Sequence, residues 1–270
     1  MAKKTILKAT KKLSRANYYS NEMDWHYMSA TYFKDFLNCE ASAMKKLNDP
    51  IEDKSEALVQ GNYLHTYFES SEAHEEFVNE YHDELYKADG EKYAVTKKTD
   101  LMIQTLATDN FFNYIYQGER EVILDGKLYG YPWKARIDCL NVEKGYFVDL
   151  KTTRELHLRY GYLTEEGRKK NFTDEYNYAL QMAVYKKLLQ QKYHKPFKAY
   201  IFAVDKQKIP DKAAMEMPFD LMAEQLEVIK GNIDRVASVM KGEIEPAKCG
   251  ECEYCRANKQ LTGFIDPRDL

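Results

Sequence analysis

Two apolar segments joined by a short polar turn constrain the fold of this chain more than any other feature. Residues 136–140 and 145–151 flank a Glu-Lys-Gly turn, a pattern that predicts a β-hairpin. Because successive side chains of a strand point to opposite faces, Asp149 and Lys151 share one face, and the hairpin can bring Asp138 opposite them. Two carboxylates and an ammonium group are costly to bury unless they bind something, so the hairpin predicts a binding site as well as a fold.

The chemistry of these side chains favours a divalent metal ion. Carboxylate oxygens are ligands of hard cations such as Mg²⁺ or Mn²⁺, so Asp138 and Asp149 are the expected ligands, with the Leu150 carbonyl as a further candidate. In hydrolysis of a phosphodiester, Lys151 would orient the attacking water or stabilise the transition state. The alternative is an exposed hairpin on which Asp149 and Lys151 form a surface ion pair of little energetic consequence.

Two predicted helices add candidates for the same site. Gly61, His65 and Glu69 are spaced four residues apart and therefore share one helical face. The imidazole could be an additional metal ligand, although a lone histidine is more often a core residue with satisfied hydrogen bonds. Gln181 and Tyr185 lie one turn apart on a later helix, and they either contact a phosphate or water at the site or only line the helix.

The composition predicts a folded protein of the cytoplasm. A chain of 270 residues can bury a substantial core, and no apolar run approaches the ~20 residues of a membrane span. The basic start lacks an apolar secretion signal, and five cysteines, an odd number, favour a reducing compartment over a disulfide framework. The net charge of −3 is a weak argument against a nucleic-acid partner, because such proteins often carry a basic excess.

The order of predicted elements indicates an α/β (α+β) protein with a central mixed sheet flanked by helices. Residues 1–25 are polar and are expected to be a flexible segment, residues 26–245 to form the main domain, and residues 246–270 to form a cysteine-containing segment. Helices are predicted at 29–37, 56–71, across most of 72–118, at 176–193 and at 220–241, and strands at 119–126, 128–140, 145–151 and 197–204.

A basic segment follows the hairpin directly. Residues 155–175 have no clear periodicity and are expected to form a mobile loop, whose cations could meet DNA phosphates or could simply be a solvated face. Its aromatic residues could stack on frayed bases or pack within the loop. The cations are Arg154, Arg159, Arg168, Lys169 and Lys170, and the aromatic residues are Tyr160, Tyr162 and Phe172.

A cysteine cluster near the C-terminus predicts a second metal site. Cys249, Cys252 and Cys255 are each separated by two residues, a spacing that matches the opening of the ferredoxin run for a [4Fe–4S] cluster, with Zn²⁺ as the alternative. No histidine follows residue 194, so the fourth ligand must come from far away, and Cys39 is the candidate. The remaining possibility is a set of unligated surface thiols. Cys139 is expected to be a core residue on the face opposite Asp138.

Taken together, these residues resemble the PD-(D/E)XK nuclease superfamily, in particular its RecB-like and RecE-like exonuclease branch. The residues that carry the resemblance occur in the family's order: Gly61 and His65, Asp138, Asp149-Leu150-Lys151, and Gln181 with Tyr185. One departure is that Ile137 stands where the family usually has a proline before the first acid. The resemblance implies a restriction-endonuclease-like core over residues 26–245 and a requirement for Mg²⁺ or Mn²⁺.

The resemblance also implies roles for individual residues. His65, Asp138 and Asp149 would be metal ligands, Lys151 would be catalytic, and Gln181 and Tyr185 would contact the active site or DNA. The flanking sequence is similar to phage-encoded exodeoxyribonuclease VIII-like proteins. This implies 5′-to-3′ degradation of double-stranded DNA ends, a single-strand annealing protein as a partner, a homo-oligomer, and a phage or prophage origin in a bacterial host.

RecB-like nucleases with an iron–sulfur cluster, such as the AddB type, also have one upstream cysteine and three after the nuclease core, although their last gap is longer than the one here. Two other functions remain open on the sequence. The chain could be a non-catalytic DNA-binding recombination factor that kept the fold, or an iron–sulfur regulatory protein whose cysteines are its function. A test of Mg²⁺-dependent cleavage separates the first of these from an exonuclease.

Overall fold

The structure, a computed structural model, describes residues 6–50, 54–157, 167, 171–261, 263, 264, 266 and 268. Within these ranges, the first eight helices precede the strands, which lie between residues 119 and 216. The helices are α1 Asn21–His26, α2 Ala30–Asn38, α3 Glu40–Asn48, α4 Glu56–Glu69, α5 Ser71–Glu80, α6 His82–Leu85, α7 Ala94–Ala107, α8 Asn110–Ile115, α9 Phe172–Glu175, α10 Tyr178–Tyr193, α11 Phe219–Met240 and α12 Glu253–Ala257. The strands are β1 Glu119–Leu128, β2 Tyr131–Asn141, β3 Tyr146–Thr153, β4 Lys198–Asp205 and β5 Lys212–Glu216.

The strands form one mixed sheet, in the order β1-β2-β3-β4-β5 among the described residues. Strands β3 and β4 are parallel, and the other neighbouring pairs are antiparallel. A parallel pair needs a crossover connection, and α10 provides it between β3 and β4. The helix therefore begins near the end of β3 and runs back across the sheet. The predicted α/β class with a mixed sheet flanked by helices is confirmed.

The predicted hairpin is formed by β2 and β3, and its strands separate at the two acids. The ladder has three pairs, Cys139 with Val148, Leu140 with Phe147 and Asn141 with Tyr146. Continuing that register would pair Asp138 with Asp149. Instead, the backbone N–H of Leu150 donates to the Asp138 carboxylate at 2.6 Å, so a side chain replaces a strand carbonyl as the acceptor. The strands thus open where their carboxylates lie.

Two clusters of buried side chains pack on the sheet. Trp133, Phe147 and Met182 are among the residues of one cluster, which joins the sheet to α2, α10 and α11. Leu64 and Cys139 belong to the other cluster, which joins the sheet to α4, α7 and α8. Cys139 is fully buried there, as predicted. Each of these fully buried apolar side chains contributes roughly 2 kcal/mol of hydrophobic free energy, so both faces of the sheet are firmly covered.

The N-terminal segment differs from the flexible stretch that its polar composition predicts. Over residues 6–25, side chains such as Leu7, Met23 and Trp25 are buried, and α1 forms. Lys134 of β2 is only 3% exposed and makes an ion pair with Asp24 at 2.7 Å. A buried ion pair requires a fixed partner, so this contact holds the segment against the sheet. The segment is polar on average, and its composition therefore does not show that a few of its apolar residues are buried.

Other differences concern short elements and the basic segment. Helices α1, α3, α9 and α12 and the edge strand β5 were not predicted, because short elements carry little periodicity. Phe172 is buried in α9, so it packs in the core and does not offer a free ring for base stacking. Arg154 is described and exposed. The other predicted basic contacts, Arg159, Arg168, Lys169 and Lys170, and the aromatic residues Tyr160 and Tyr162 lie outside the described residues.

Among the helices formed by the described residues, none is both long enough and apolar enough to cross a membrane.

Candidate active site

Asp149 lies at the centre of a buried polar cluster on β3. Its side chain is 2% exposed, and its Oδ2 lies 2.5 Å from Nζ of Lys151, two residues along the same face. From α10, Nε2 of Gln181 donates to Asp149 Oδ1 at 2.7 Å and to the hydroxyl of Tyr185 at 3.0 Å. Because the crossover places α10 over β3, the predicted residues of both elements meet at one carboxylate.

Asp138 faces the same space from β2. Besides the Leu150 N–H, it meets the imidazole of His65, whose Nδ1 lies 3.5 Å from Asp138 Oδ2. His65 reaches the sheet from α4 and also makes a hydrogen bond to the backbone of Leu150. Leu150 therefore contacts both candidate ligands through its backbone. The Leu150 carbonyl as a metal ligand remains a prediction.

Glu121 of β1 is a site residue that the sequence reasoning missed. The pairs on either side of it, Arg120 with Cys139 and Val122 with Ile137, place Glu121 opposite Asp138. Its carboxylate, the Asp138 carboxylate and the His65 ring offer atoms that all lie within 4.8 Å of one another. Glu121 has a φ of 53°, a left-handed conformation that costs about 1–3 kcal/mol at such a residue and is found at functional sites.

Arg136 forms the outer wall of this cluster. Its guanidinium makes an ion pair with Glu121, contacts Glu69 at 3.3 Å and donates to the hydroxyl of Tyr19 at 2.9 Å. Glu69 is also paired with Arg15 of the N-terminal segment. Glu69 thus lies on the same helical face as His65, as its spacing predicts. Its carboxylate pairs with the two arginines and is not in the group that His65 forms with Glu121 and Asp138. None of these arginine contacts was foreseen from the sequence.

Burial governs the protonation of the cluster. It raises the pKa of Asp149 to about 6, against the opposing effect of Lys151, and it raises the pKa of Glu121 to about 7. Burial also raises the pKa of Asp138, whose carboxylate lies beside the other two. For His65, burial and then the charge of Lys151 lower the pKa to about 4, so the ring is neutral near pH 7 and keeps a lone pair for a ligand.

This donor set fits a hard divalent cation. Three buried carboxylates whose pKa values are raised gain from a nearby positive charge, and Lys151 already supplies one such charge at Asp149 Oδ2. His65, Glu121, Asp138 and Asp149 are the residues that would hold the ion. Carboxylate oxygens suit both Mg²⁺ and Mn²⁺, and the imidazole adds a nitrogen that Mn²⁺ accepts readily. Such an ion would supply Lewis acidity and lower the pKa of a bound water.

The cysteines form a second cluster, far from the first in the sequence. Cys39, Cys249, Cys252 and Cys255 offer sulfur atoms within 4.8 Å of one another. The Cys255 sulfur lies 3.6 Å from that of Cys39 and 3.9 Å from that of Cys249, and none of the four is in a disulfide. The predicted partner of the C-terminal cysteines, Cys39 between α2 and α3, is thus beside them in space.

The spacing of these sulfur atoms bears on the identity of a metal. Thiolates bound at about 2.3 Å to one tetrahedral Zn²⁺ lie about 3.8 Å apart, close to the 3.6 and 3.9 Å separations seen here. A [4Fe–4S] cube fills the space between its ligands and requires the sulfur atoms to move apart. Backbone hydrogen bonds lower the pKa of the Cys249 thiol to about 6, and the bond from Cys252 has a larger effect than the bond from Glu251. A lower pKa favours the thiolate that either metal needs.

Polar contacts hold the chain beside the cysteine cluster. Glu40, next to Cys39, is bound by the guanidinium of Arg235 at 2.7 and 2.8 Å. The same carboxylate accepts a hydrogen bond from the Ala247 N–H at 2.7 Å. The start of α3, helix α11 and the C-terminal segment are therefore joined next to the thiols. These contacts give the cluster a fixed frame.

Comparison with known proteins connects this geometry to a family. The model of a family described as "PDDEXK-like domain of unknown function (DUF3799)" matches residues 29–258. A crystal structure of a "Putative exonuclease" from Eubacterium rectale is similar, with a TM-score of 0.86 and 30% sequence identity, covering 96% of this chain and 98% of that chain. A second structure, described as SSO0001, has a TM-score of 0.31 and 15% identity over 83% of this chain and 93% of that chain, too low to support an inference. No curated protein matches the sequence.

These findings confirm the predicted superfamily and its restriction-endonuclease-like fold. The match spans the carboxylate cluster, and it also takes in all four cysteines of the second cluster. The chain therefore belongs to the PDDEXK-like family DUF3799, within the PD-(D/E)XK nuclease superfamily.

Proposed function

We propose that this protein is a metal-dependent exodeoxyribonuclease that hydrolyses phosphodiester bonds from the ends of linear duplex DNA. The observation that carries the proposal is the convergence of Asp138, Asp149 and Lys151 at the open end of the hairpin, with His65 beside them. Buried carboxylates with raised pKa values and a lysine on the same strand are what phosphodiester hydrolysis with a divalent cation requires. The similar protein from Eubacterium rectale is described as a putative exonuclease, which agrees with this function.

The chain's own residues divide the work of such a reaction. Lys151 carries its charge at the site, because Asp149 raises the pKa of the lysine against the effect of burial. Its ammonium group would orient the attacking water or stabilise the charge that develops on the phosphoryl oxygens. Gln181 fixes the Asp149 carboxylate, and Tyr185 supports Gln181. His65 stays neutral and serves as a ligand, not as a proton donor.

We propose 5′-to-3′ resection of linear DNA as the biological activity, on the basis of the resemblance to RecE-like enzymes. The single strand that such an enzyme leaves is the substrate of an annealing protein, which would be a partner in phage-type recombination. The same resemblance supports a homo-oligomer and a phage or prophage gene expressed in the cytoplasm of a bacterial host. The basic residues Arg154, Arg159, Arg168, Lys169 and Lys170 would contact DNA phosphates.

Degradation of end-labelled linear duplex DNA, compared with a covalently closed circle, tests the proposal. With Mg²⁺ or Mn²⁺, we expect the linear substrate to be degraded and the circle to survive. EDTA should abolish degradation, and labels at the 5′ or the 3′ end should reveal the polarity. Cleavage of the circle would contradict the exonuclease assignment. Binding of linear DNA without cleavage under any of these metals would instead support a non-catalytic recombination factor.

For the cysteine cluster, we propose a structural metal site that joins α3 to the C-terminal segment. The short distances between the sulfur atoms favour a single Zn²⁺, and the ferredoxin-like spacing of the C-terminal cysteines favours a [4Fe–4S] cluster. Metal analysis of protein purified without oxygen, together with its visible absorption, separates the two. About one zinc per chain and no absorption near 400 nm would identify a zinc site. Absence of both zinc and iron would refute a metal site.

A further inference from the structure

Lys34 of α2 is a second lysine beside the candidate active site. Its Nζ donates to the backbone carbonyl of Tyr176 at 3.0 Å and lies 5.6 Å from the ring centroid of Tyr178. The Nζ of Lys151 lies 5.0 Å from the centroid of the same ring. Two ammonium groups from different elements, one of them the proposed catalytic lysine, therefore share a single buried tyrosine ring.

The two lysines differ in their charge partners. Lys151 has the Asp149 carboxylate at 2.5 Å, whereas Lys34 has no carboxylate within ion-pair distance among the described residues. Its neighbour Asp35 is bound instead to Lys46, at 2.8 Å. Burial, and then the charge of Lys151, lower the pKa of Lys34 to about 8, and the charges of Asp149 and Asp35 oppose this only in part. The tyrosine ring offsets only part of this repulsion, because a cation–π contact is weak beside a full opposite charge.

An anion bound beside Lys34 would supply the opposite charge that its ammonium group lacks among the described residues. The ring shared with Lys151 keeps the Lys34 ammonium group at the edge of the proposed reaction site, on the side of α2 and α10. A DNA strand whose scissile linkage lies at Lys151 carries further phosphates on either side of that linkage. We propose that Lys34 binds a non-scissile backbone phosphate of the strand being cut and so fixes that strand on the active site. This inference rests on the proposed nuclease function.

A binding cation predicts a particular kinetic pattern. Loss of one phosphate contact removes the release of about one counterion, so the slope of log kcat/KM against log salt should become shallower by about 0.7–0.9. The contact is made to a phosphate that does not react, so we expect the Lys34→Gln variant to raise KM about tenfold and to leave kcat close to that of the wild type. Lys34→Arg keeps the charge and should restore most of the salt dependence.

Lys46 provides a matched control. It is also a lysine over a tyrosine ring, with Nζ 5.4 Å from the Tyr32 centroid, but it is paired with Asp35 and lies on α3. Lys46→Gln should leave KM and the salt slope unchanged. Thermal unfolding of each variant shows whether a loss of activity reflects folding.

The experiment measures degradation of a labelled linear duplex with Mg²⁺ over a series of KCl concentrations, for the wild type and the three variants. A Lys34→Gln variant with wild-type KM and salt slope, beside an active wild type, would overturn the role of Lys34 and leave the nuclease function intact. A fall in kcat alone, or an equal loss in Lys34→Arg, would also overturn it. A wild type that degrades no DNA with Mg²⁺ or Mn²⁺ would overturn the proposed function, and this inference with it.

Discussion

The carboxylate cluster and the cysteine cluster both gather metal-binding side chains, but the chain builds them in opposite ways. The carboxylates stand on neighbouring strands of the sheet and are buried, and their pKa values are raised. The thiols come from the α2–α3 junction and from the C-terminal segment, and two of the four are at least partly exposed. The carboxylates are held in place by the sheet, and burying their charges costs stability. The cysteines bring two distant segments of the chain together.

This difference is what we expect if the carboxylate cluster does the chemistry and the cysteine cluster supports the structure. Groups with unfavourable ionisation persist in a fold when function requires them, and their removal then affects activity before stability. A cluster that closes a long stretch of chain has the reverse signature, because loss of its metal removes a cross-link. Substitutions in the two clusters should therefore produce opposite pairs of effects.

The largest effect is expected for Asp149→Asn. The amide can still accept the hydrogen bond from Gln181, but it removes the charge that a divalent cation needs. We expect DNA degradation to fall at least about 10³-fold, as for loss of a central electrostatic group. The midpoint of thermal unfolding should fall only slightly, because the lost pairing with Lys151 is offset by removal of a carboxylate that burial disfavours. Retained cleavage would refute the assignment of this site.

Cys252→Ser should show the reverse. We expect the free energy of unfolding to fall by about 3 kcal/mol or more, because a thiolate ligand of the proposed structural metal is lost. The activity of the molecules that remain folded should stay near that of the wild type. Denaturant unfolding and activity per folded molecule are the measurements, with Glu253→Gln, at the start of the short helix that Cys252 caps, as the control. A variant that unfolds normally but has lost its activity would place the cysteines in the catalytic function.

Glu121→Gln should have an intermediate effect on chemistry. Glu121 faces Asp138 and His65 but is also paired with Arg136, so its charge is shared between the site and the arginine. We expect the Mg²⁺ concentration that gives half-maximal activity to rise roughly tenfold. Titration of activity with Mg²⁺ measures this, with Glu119→Gln at the exposed start of the same strand as the control. An unchanged Mg²⁺ requirement would remove Glu121 from the set of ligands.

The smallest effect is expected for Gly61→Ala. A Cβ at this position would lie 3.8 Å from Oγ1 of Thr152, an ordinary contact, so the fold does not require glycine there. Alanine in the middle of a helix should add up to about 1 kcal/mol of stability, and activity should be unchanged. Thermal unfolding and the DNA degradation assay test both parts. If stability rises while activity falls, DNA must approach α4 closely at this glycine.

The parts of the structure that the sequence predicted are those set by local periodicity. Two apolar segments and the turn between them, within 136–151, are enough to place the hairpin, and a spacing of four residues is enough to place Gln181 and Tyr185 on one helical face. Cys39 was found by a different route, because a metal site with three C-terminal thiols needs one more ligand from elsewhere. The need for a fourth metal ligand can thus predict a contact between residues more than two hundred positions apart in the sequence.

The missed residues depend on contacts between elements that are distant in the sequence. Glu121 joins the site only through the pairing register of β1 with β2 and its left-handed backbone. Lys34 joins it through the packing of α2 against α10, and Arg136 through contacts to three separate segments. No local pattern marks any of them. The packing of the N-terminal segment likewise depends on distant contacts, such as the ion pair between Asp24 and Lys134 of β2.

The hydrogen bond from the Leu150 amide to Asp138 gives this protein an internal reporter. An amide that donates to a carboxylate, where its neighbours donate to strand carbonyls, has a nitrogen and proton resonance that follows the charge of that one side chain. Selective ¹⁵N-leucine labelling would therefore let NMR follow the ionisation of Asp138 and its capture by a cation, with no substrate present. Because the hairpin opens at Asp138, binding of a cation by this carboxylate would be visible from the backbone.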